Sequence, residues 1–192
     1  IFIEDNILIT GGGGSIGSEL SRQISYLNFN KLIIADISEF NLFKIKEDLN
    51  ELFSSNSSKI DKFVFILLDL KDPQGIYDVF NKFKPTLVYH AAAYKHVPIV
   101  ENNVKIGIKN NFVGTANLID ISIQYNVRKF LFVSTDKAVN PINLMGITKR
   151  LCELYIKKVS SNSSTNSSIV RFGNVVGSSG SVLPLFLNQI KN

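Results

Sequence analysis

Two stretches of this chain combine residue types and spacing that chemistry can use. The first is Thr10-Gly11-Gly12-Gly13-Gly14-Ser15-Ile16-Gly17, set directly after an apolar run. Its frame T-G-x-x-G-x-x-G puts Gly11 at the tight turn, Gly14 where a pyrophosphate approaches the backbone, and Gly17 where a helix packs on a strand. Ser15 and Ile16 open that helix, so its positive amino end and its N–H groups face the phosphates. Gly17-Ser18-Glu19 lacks the lysine of a triphosphate-binding loop, which excludes that reading. Asp36 closes the next apolar run, 25 residues past Gly11. A carboxylate there accepts the ribose hydroxyls of an adenosine and repels a 2′-phosphate, which favours NAD over NADP. Its other reading is a cap for the helix that follows, a task Ser38 could fill instead. Asp69 and Leu70 suit the adenine edge. Ala91, Ala92 and Ala93 are small enough for a cofactor to lie against their backbone.

The second stretch is Ser134-Thr135-Asp136-Lys137, followed by Met145-Gly146-Ile147-Thr148-Lys149. Asp136 and Lys137 are adjacent groups of opposite charge. Such a pair can act as acid and base where the surroundings separate their pKa values, and is otherwise a surface ion pair. Met145 and Lys149 are four apart and share one helical face, from which Lys149 could reach the nicotinamide ribose.

Both stretches need a scaffold, and the hydrophobic pattern supplies one. Strands are expected at Asn6–Thr10, Lys31–Ala35, Lys62–Leu68, Thr86–His90, Lys129–Ser134 and Ser168–Phe172. Helices are expected at Ser15–Leu27, Glu39–Phe53, Gly75–Phe83, about Pro98–Tyr125, Asn143–Val159 and Val182–Ile190. Ser54–Ser58 reads as a turn and Ser160–Ser168 as a polar surface loop. The strands are continuous in Val, Ile, Leu and Phe, which marks strands covered on both faces. Their alternation with helices predicts one α/β domain over residues 1–192, a doubly wound parallel sheet of Rossmann-like type. Ligands of such sheets bind beyond the carboxyl ends of the strands, where both stretches fall.

Composition agrees with a single domain. The 192 residues are 45% hydrophobic and 19% charged. The net charge of +5 comes from scattered lysines rather than one basic face, which argues against a nucleic-acid binder. One cysteine, Cys152, and two histidines leave no material for a disulfide framework or a Cys- or His-based metal site. No run approaches the roughly 20 apolar residues of a membrane span. The chain opens on a core strand and closes inside an expected helix, so it reads as a piece of a longer protein.

Beyond these stretches the chain resembles a known family. TGGGGSIGSEL (10–20), DISEFNL (36–42), HAAAYKHVPIVE (90–101), NFVGTANL (111–118), STDKAVNPINLMGITKR (134–150) and RFGNVVGSSGSVLPLF (171–186) resemble the nucleotide-sugar 4,6-dehydratases of the polysaccharide-biosynthesis branch. These are extended short-chain dehydrogenase/reductases that act on UDP-N-acetylglucosamine. The resemblance implies an NAD-dependent hydro-lyase. Hydride leaves C4 of the sugar, Lys137 removes the acidified C5 proton, Asp136 protonates the departing C6 hydroxyl, and hydride returns to C6. It also implies that Asn111 belongs to the cofactor site and hydrogen-bonds backbone near the active strand, that Lys95 and His96 meet substrate or the nicotinamide end, and that Asn174 contacts the sugar nucleotide. Arg171 is expected to brace its strand end.

One position departs from the superfamily. The usual catalytic Tyr, four before the Lys, is Met145, as in a membrane-linked subgroup of the same branch. A thioether cannot remove a hydroxyl proton, so the C4 proton needs another acceptor, with Thr135 as the candidate relay. Asp136 as acid and Lys137 as base must both leave their reference protonation states, and burial under substrate is the expected cause. By the same resemblance, a distal segment closes the substrate pocket, so the chain alone is expected to bind NAD yet turn over poorly. A homo-oligomer through the helices around 98–125 and 143–159 is implied, as are a cytoplasmic setting and membrane attachment only through segments outside this chain. The rival readings are a nucleotide-sugar 4-epimerase and a non-catalytic NAD-binding module.

Overall fold

The structure is a computed structural model, which describes residues 4–175. Six parallel strands, β1 (Asn6–Thr10), β2 (Lys31–Asp36), β3 (Phe63–Leu67), β4 (Leu87–His90), β5 (Lys129–Thr135) and β6 (Asn166–Phe172), stand in the order β3-β2-β1-β4-β5-β6. Eight α-helices accompany them among the described residues: α1 (Ser15–Ser25), α2 (Glu39–Leu52), α3 (Ser57–Ile60), α4 (Pro73–Phe83), α5 (Val97–Asn102), α6 (Val104–Ile108), α7 (Gly114–Gln124) and α8 (Leu144–Ser160). Strand geometry turns successive side chains to opposite faces. Ile7 and Ile9 therefore pack with Ile24, Leu42, Ile45 and Leu49 of α1 and α2. Leu8, Ile33, Val88, Phe130 and Phe132 pack on the other face with Phe80, Leu118, Ile119 and Ile156 of α4, α7 and α8. Both faces being covered is why the strands lack polar alternation.

The chain winds outward through β2 and β3, then returns past β1 to place β4 on its other side. The order thus reverses between β1 and β4. Helices leaving these neighbours pass to opposite faces and leave a crevice, which the glycine turn and Ala91–Ala93 border.

Three expectations change. The long helix is broken. Asn103 leaves helical geometry at φ −133°, ψ 51°, and a π-helical turn, Lys109–Val113, precedes α7. That turn frees the Asn111 carbonyl, which accepts Thr115 Oγ1 at 2.5 Å and Cys152 Sγ at 3.2 Å. The serine-rich stretch is largely ordered. Helix α8 runs to Ser160, and β6 begins at Asn166 because its backbone pairs with β5 from Asn166↔Lys129 onward. An edge strand with one side toward water tolerates serine, which apolar periodicity does not register. Finally, α4 starts at Pro73, two residues early, where Asp72 caps it through the Gln74 N–H, and the expected turn at 54–58 carries the start of α3, capped by Asn56. The expected helix at 182–190 lies outside the described residues.

Candidate active site

The glycine turn is shaped by close approach. Gly11 has φ +67°, and a Cβ there would lie 2.6 Å from the Ala92 backbone. A Cβ on Gly17 would collide with the Gly11 carbonyl oxygen. Gly14 differs: a Cβ would meet only the Gly11 oxygen at 3.3 Å, so its outer side faces the crevice. Gly14 is also the N-cap of α1, with no side-chain cap. Gly12 and Gly13, variable in the motif, are constrained too, against Ile34 and Asn41. Gly13 carries a further feature that the sequence does not announce: its N–H donates to Asp36 Oδ2 at 2.9 Å.

Asp36 is buried, and its other oxygen accepts the Ser38 N–H at 2.9 Å. Ser38, not Asp36, caps α2 by accepting from Asn41 N. The carboxylate is therefore fixed by two backbone donors with lone pairs still directed outward. It lines a cavity of about 280 Å³ with Leu68, Asp69, Leu70 and Ala91–Ala93. Asp69 pairs with Lys71 Nζ at 2.8 Å. Burial works to raise its pKa, and the Lys71 hydrogen bonds outweigh that, holding it below the usual carboxylate range.

Beneath the turn lies a buried polar chain. Thr10 Oγ1 is 2.7 Å from His90 Nδ1, and His90 Nε2 is 2.8 Å from Thr115 Oγ1. Thr115 spends its proton on the Asn111 carbonyl, so Nε2 carries the imidazole proton and Thr10 donates to Nδ1. Burial, with the charge of Lys149 adding to it, pushes His90 down to about 3 and keeps it neutral. Asn111 is buried and fully engaged. Its Oδ1 accepts Tyr94 N at 2.8 Å, and its amide donates to Tyr94 O at 3.0 Å and Thr148 Oγ1 at 3.1 Å. Its amide thus holds the loop after β4 against α8, and any contribution to a bound dinucleotide passes through that loop.

Two further cavities continue along the strand ends. One of about 580 Å³ runs from Gly11–Gly17 past Lys95 and His96 to Ile99, Val100 and Ile106. The next, about 390 Å³, brings Ile16, Lys95 and His96 together with Thr135, Lys137, Met145, Lys149 and Asn174. The walls are shared, so the glycine turn, Thr135 and Lys137 border one trough, with Asp136 outside its lining. The apolar wall from α5 and α6 was not foreseen. It depends on the break at Asn103, which no residue pattern signals.

At the β5 end of the trough, Met145 and Lys149 lie on one buried face of α8. Lys149 Nζ donates to the Val133 carbonyl at 2.8 Å and stands 4.3 Å from the Phe132 ring centroid. Burial pushes it down to about 8, against the opposing influence of Cys152 and Glu153. Asp136 behaves otherwise. Its side chain is 56% exposed, accepts the Thr135 hydroxyl at 2.9 Å, and pairs with Lys137 Nζ at 3.2 Å. The Thr135 hydrogen bond, then Lys137, hold its carboxyl below the usual range. An acid needs the opposite shift, so the chain alone does not create it. Asp136 sits at the rim, near Gly173, whose Cβ would be 3.4 Å from Oδ2. Arg171 does brace its strand end, through Glu153. Among the described residues, no group of three or more His, Cys, Asp or Glu could hold a metal, and no helix is long and apolar enough to cross a membrane.

This sheet order, with its crevice at the reversal point, is Rossmann-like. The chain belongs to the polysaccharide biosynthesis protein family, whose family model matches residues 7–192. The capsular polysaccharide biosynthesis protein CapD of Staphylococcus aureus is 46% identical over 187 residues, 97% of this chain and 31% of that protein. A UDP-N-acetylglucosamine 4,6-dehydratase (inverting) of Campylobacter jejuni is 37% identical, over 99% of this chain and 55% of its own length. A UDP-glucose 4-epimerase of Rickettsia prowazekii is 40% identical, over 100% and 55%. The chain thus spans about a third to about half of these relatives. The X-ray structure of Pen from Bacillus thuringiensis superposes with a TM-score of 0.87 at 33% identity, covering 100% of this chain and 57% of that one. The Bordetella bronchiseptica enzyme WbmG, solved with NAD and UDP, shares the fold at a TM-score of 0.79 and 21% identity, over 98% and 60%.

Proposed function

We propose that the chain is the NAD-binding core of a nucleotide-sugar 4,6-dehydratase acting on UDP-N-acetylglucosamine. One observation carries the reading: the glycine turn and the Thr135, Lys137 and Lys149 side chains line one continuous trough, so a dinucleotide on the turn reaches the triplet. The residues fit that cofactor. Gly14 leaves room for the pyrophosphate, Asp36 presents an anchored carboxylate to the adenosine ribose, and Ala91–Ala93 let the dinucleotide lie flat. NAD, when bound, supplies a hydride acceptor at C4 and a hydride donor at C6.

The protein's own groups do the rest. Lys149 orients the nicotinamide ribose from beneath. Lys137 takes the C5 proton and returns one to C5 at the end, and Asp136 delivers a proton to the C6 hydroxyl, which departs as water. Lys95, His96 and Asn174, on the trough wall, hold the sugar nucleotide. Asp136 takes up a proton only when substrate displaces water around it and loosens its pairing with Lys137. Thr135, which donates to Asp136, passes the C4 hydroxyl proton on to that carboxylate in place of the phenol that Met145 lacks, and Asp136 spends it on the C6 hydroxyl. Wider assembly as a homo-oligomer and action at the cytoplasmic face of a membrane accompany the same reading.

The second reading, a 4-epimerase, is favoured by the identity to the Rickettsia protein. One incubation separates them: the whole protein, NAD⁺ and UDP-N-acetylglucosamine in deuterated water. A 4-keto-6-deoxy sugar with deuterium at C5 is expected. UDP-N-acetylgalactosamine would establish the epimerase, and unreacted substrate a binding module.

A further inference from the structure

Glu153 is a carboxylate with no solvent exposure, one turn beyond Lys149 on α8. It accepts Ser134 Oγ at 2.6 Å, Arg171 Nε at 2.8 Å, Arg171 Nη2 at 2.5 Å and Arg150 Nη1 at 3.2 Å. Burial alone would raise its pKa, but Arg171, Ser134 and Arg150 hold it down at about 2. Each partner is a near neighbour of a candidate site residue. Ser134 precedes Thr135, Arg150 follows Lys149, and Arg171 lies three before Asn174. Ser134 and Arg171 are also direct partners in the parallel β5–β6 register, so one carboxylate bridges both strand ends from above. Lys149 grips the preceding residue of β5, at the Val133 carbonyl.

We propose that Glu153 is a positioning residue: its buried carboxylate fixes the spacing between Lys149, the Thr135–Asp136–Lys137 triplet and Asn174 by clamping the three segments that carry them. This rests on the function proposed above. A purely structural clamp would protect stability alone. A positioning clamp also governs turnover, because a misplacement of about 1 Å at reacting groups can cost on the order of a hundredfold.

The test uses the whole protein with NAD⁺ and UDP-N-acetylglucosamine. Glu153→Gln keeps the shape and loses the charge, and Ser134→Ala cuts only the link to β5. Asp5→Asn is the comparator. Asp5 pairs with Arg128 (2.7 Å) near the opposite end of the strands, far from the trough. The expected result is kcat lowered about 30- to 100-fold in Glu153→Gln and about 5- to 10-fold in Ser134→Ala, with KM and the NAD dissociation constant within about twofold. Asp5→Asn should lose thermal stability and keep its kcat. If Ser134→Ala, and Glu153→Gln where it folds, keep wild-type kcat while only stability falls, the positioning role is wrong and the function stands. Should the wild type convert no substrate, the functional reading fails first and takes this role with it.

Discussion

The two ends of the trough are built differently. At the end proposed for the adenosine, key polar groups are held by the protein itself: Asp36 by the Gly13 and Ser38 N–H groups, and the β4 loop by Asn111. At the reacting end, Asp136 and Lys137 hold mainly each other and Thr135, and both stand partly in water. A binding surface that recognises an invariant cofactor gains from being preformed, because nothing then has to be ordered on binding. Acid and base groups that must exchange protons gain from being exposed until substrate arrives. Lys149, beside them, differs from both: it is buried and held at the Val133 carbonyl.

The sharpest way to break the contrast is Gly11→Ala. A side chain at φ +67° and against the Ala92 backbone should cost about 3 kcal/mol or more by urea denaturation. It should also abolish detectable NAD binding by calorimetry. Next in size, Asp136→Asn should lower kcat by about two orders of magnitude while the melting temperature stays within about a degree, since the side chain is exposed. Full turnover in that variant would remove Asp136 from the chemistry. Third, the preformed half should be acid-sensitive. His90 titrates near 3 when folded, against an ordinary value of about 6.5. Between those values the unfolded chain binds a proton that the folded one refuses, so stability falls as pH drops through 6.5. From pH 7 to 5 the loss should be about 2 kcal/mol in urea midpoints, and His90→Asn should flatten that slope. Fourth, Asp36→Asn should weaken NAD about tenfold, the cost of one charge-assisted hydrogen bond, and leave kcat at saturating NAD unchanged. Smallest, Lys71→Ala should move NAD affinity less than twofold, because its pairing with Asp69 is partly exposed and screened by water.

Much of this was written in local pattern. Runs such as Lys31–Ala35 and Lys129–Ser134 identified the strands because burial on both faces demands continuous apolar side chains. The glycine turn and Asp36 were legible because few residue types permit a positive φ or offer a fixed anion at a strand end. Misreadings fell where backbone pairing or helix packing overrides local composition. Asn166–Ser168 became strand because β5 offered a ladder, and in the helix over 98–125 the turn around Asn111 answers to Tyr94, Thr148 and Cys152, contacts distant in sequence. Nothing in the local pattern sets Glu153 apart from other helical glutamates; only the fold brings Ser134 and Arg171 to it.

By itself, then, the sequence determined the strand–helix order, the phosphate-ready turn and the residue types at each strand end, since these follow from near-neighbour sterics and the period of hydrophobic burial. Tertiary structure alone decided which strand ends share a trough, that Asp36 is latched by Gly13, that Lys149 is buried while Asp136 faces water, and that one carboxylate clamps three segments. Those outcomes depend on distances between residues as much as 158 positions apart, such as Ile16 and Asn174, and only the packed sheet sets them.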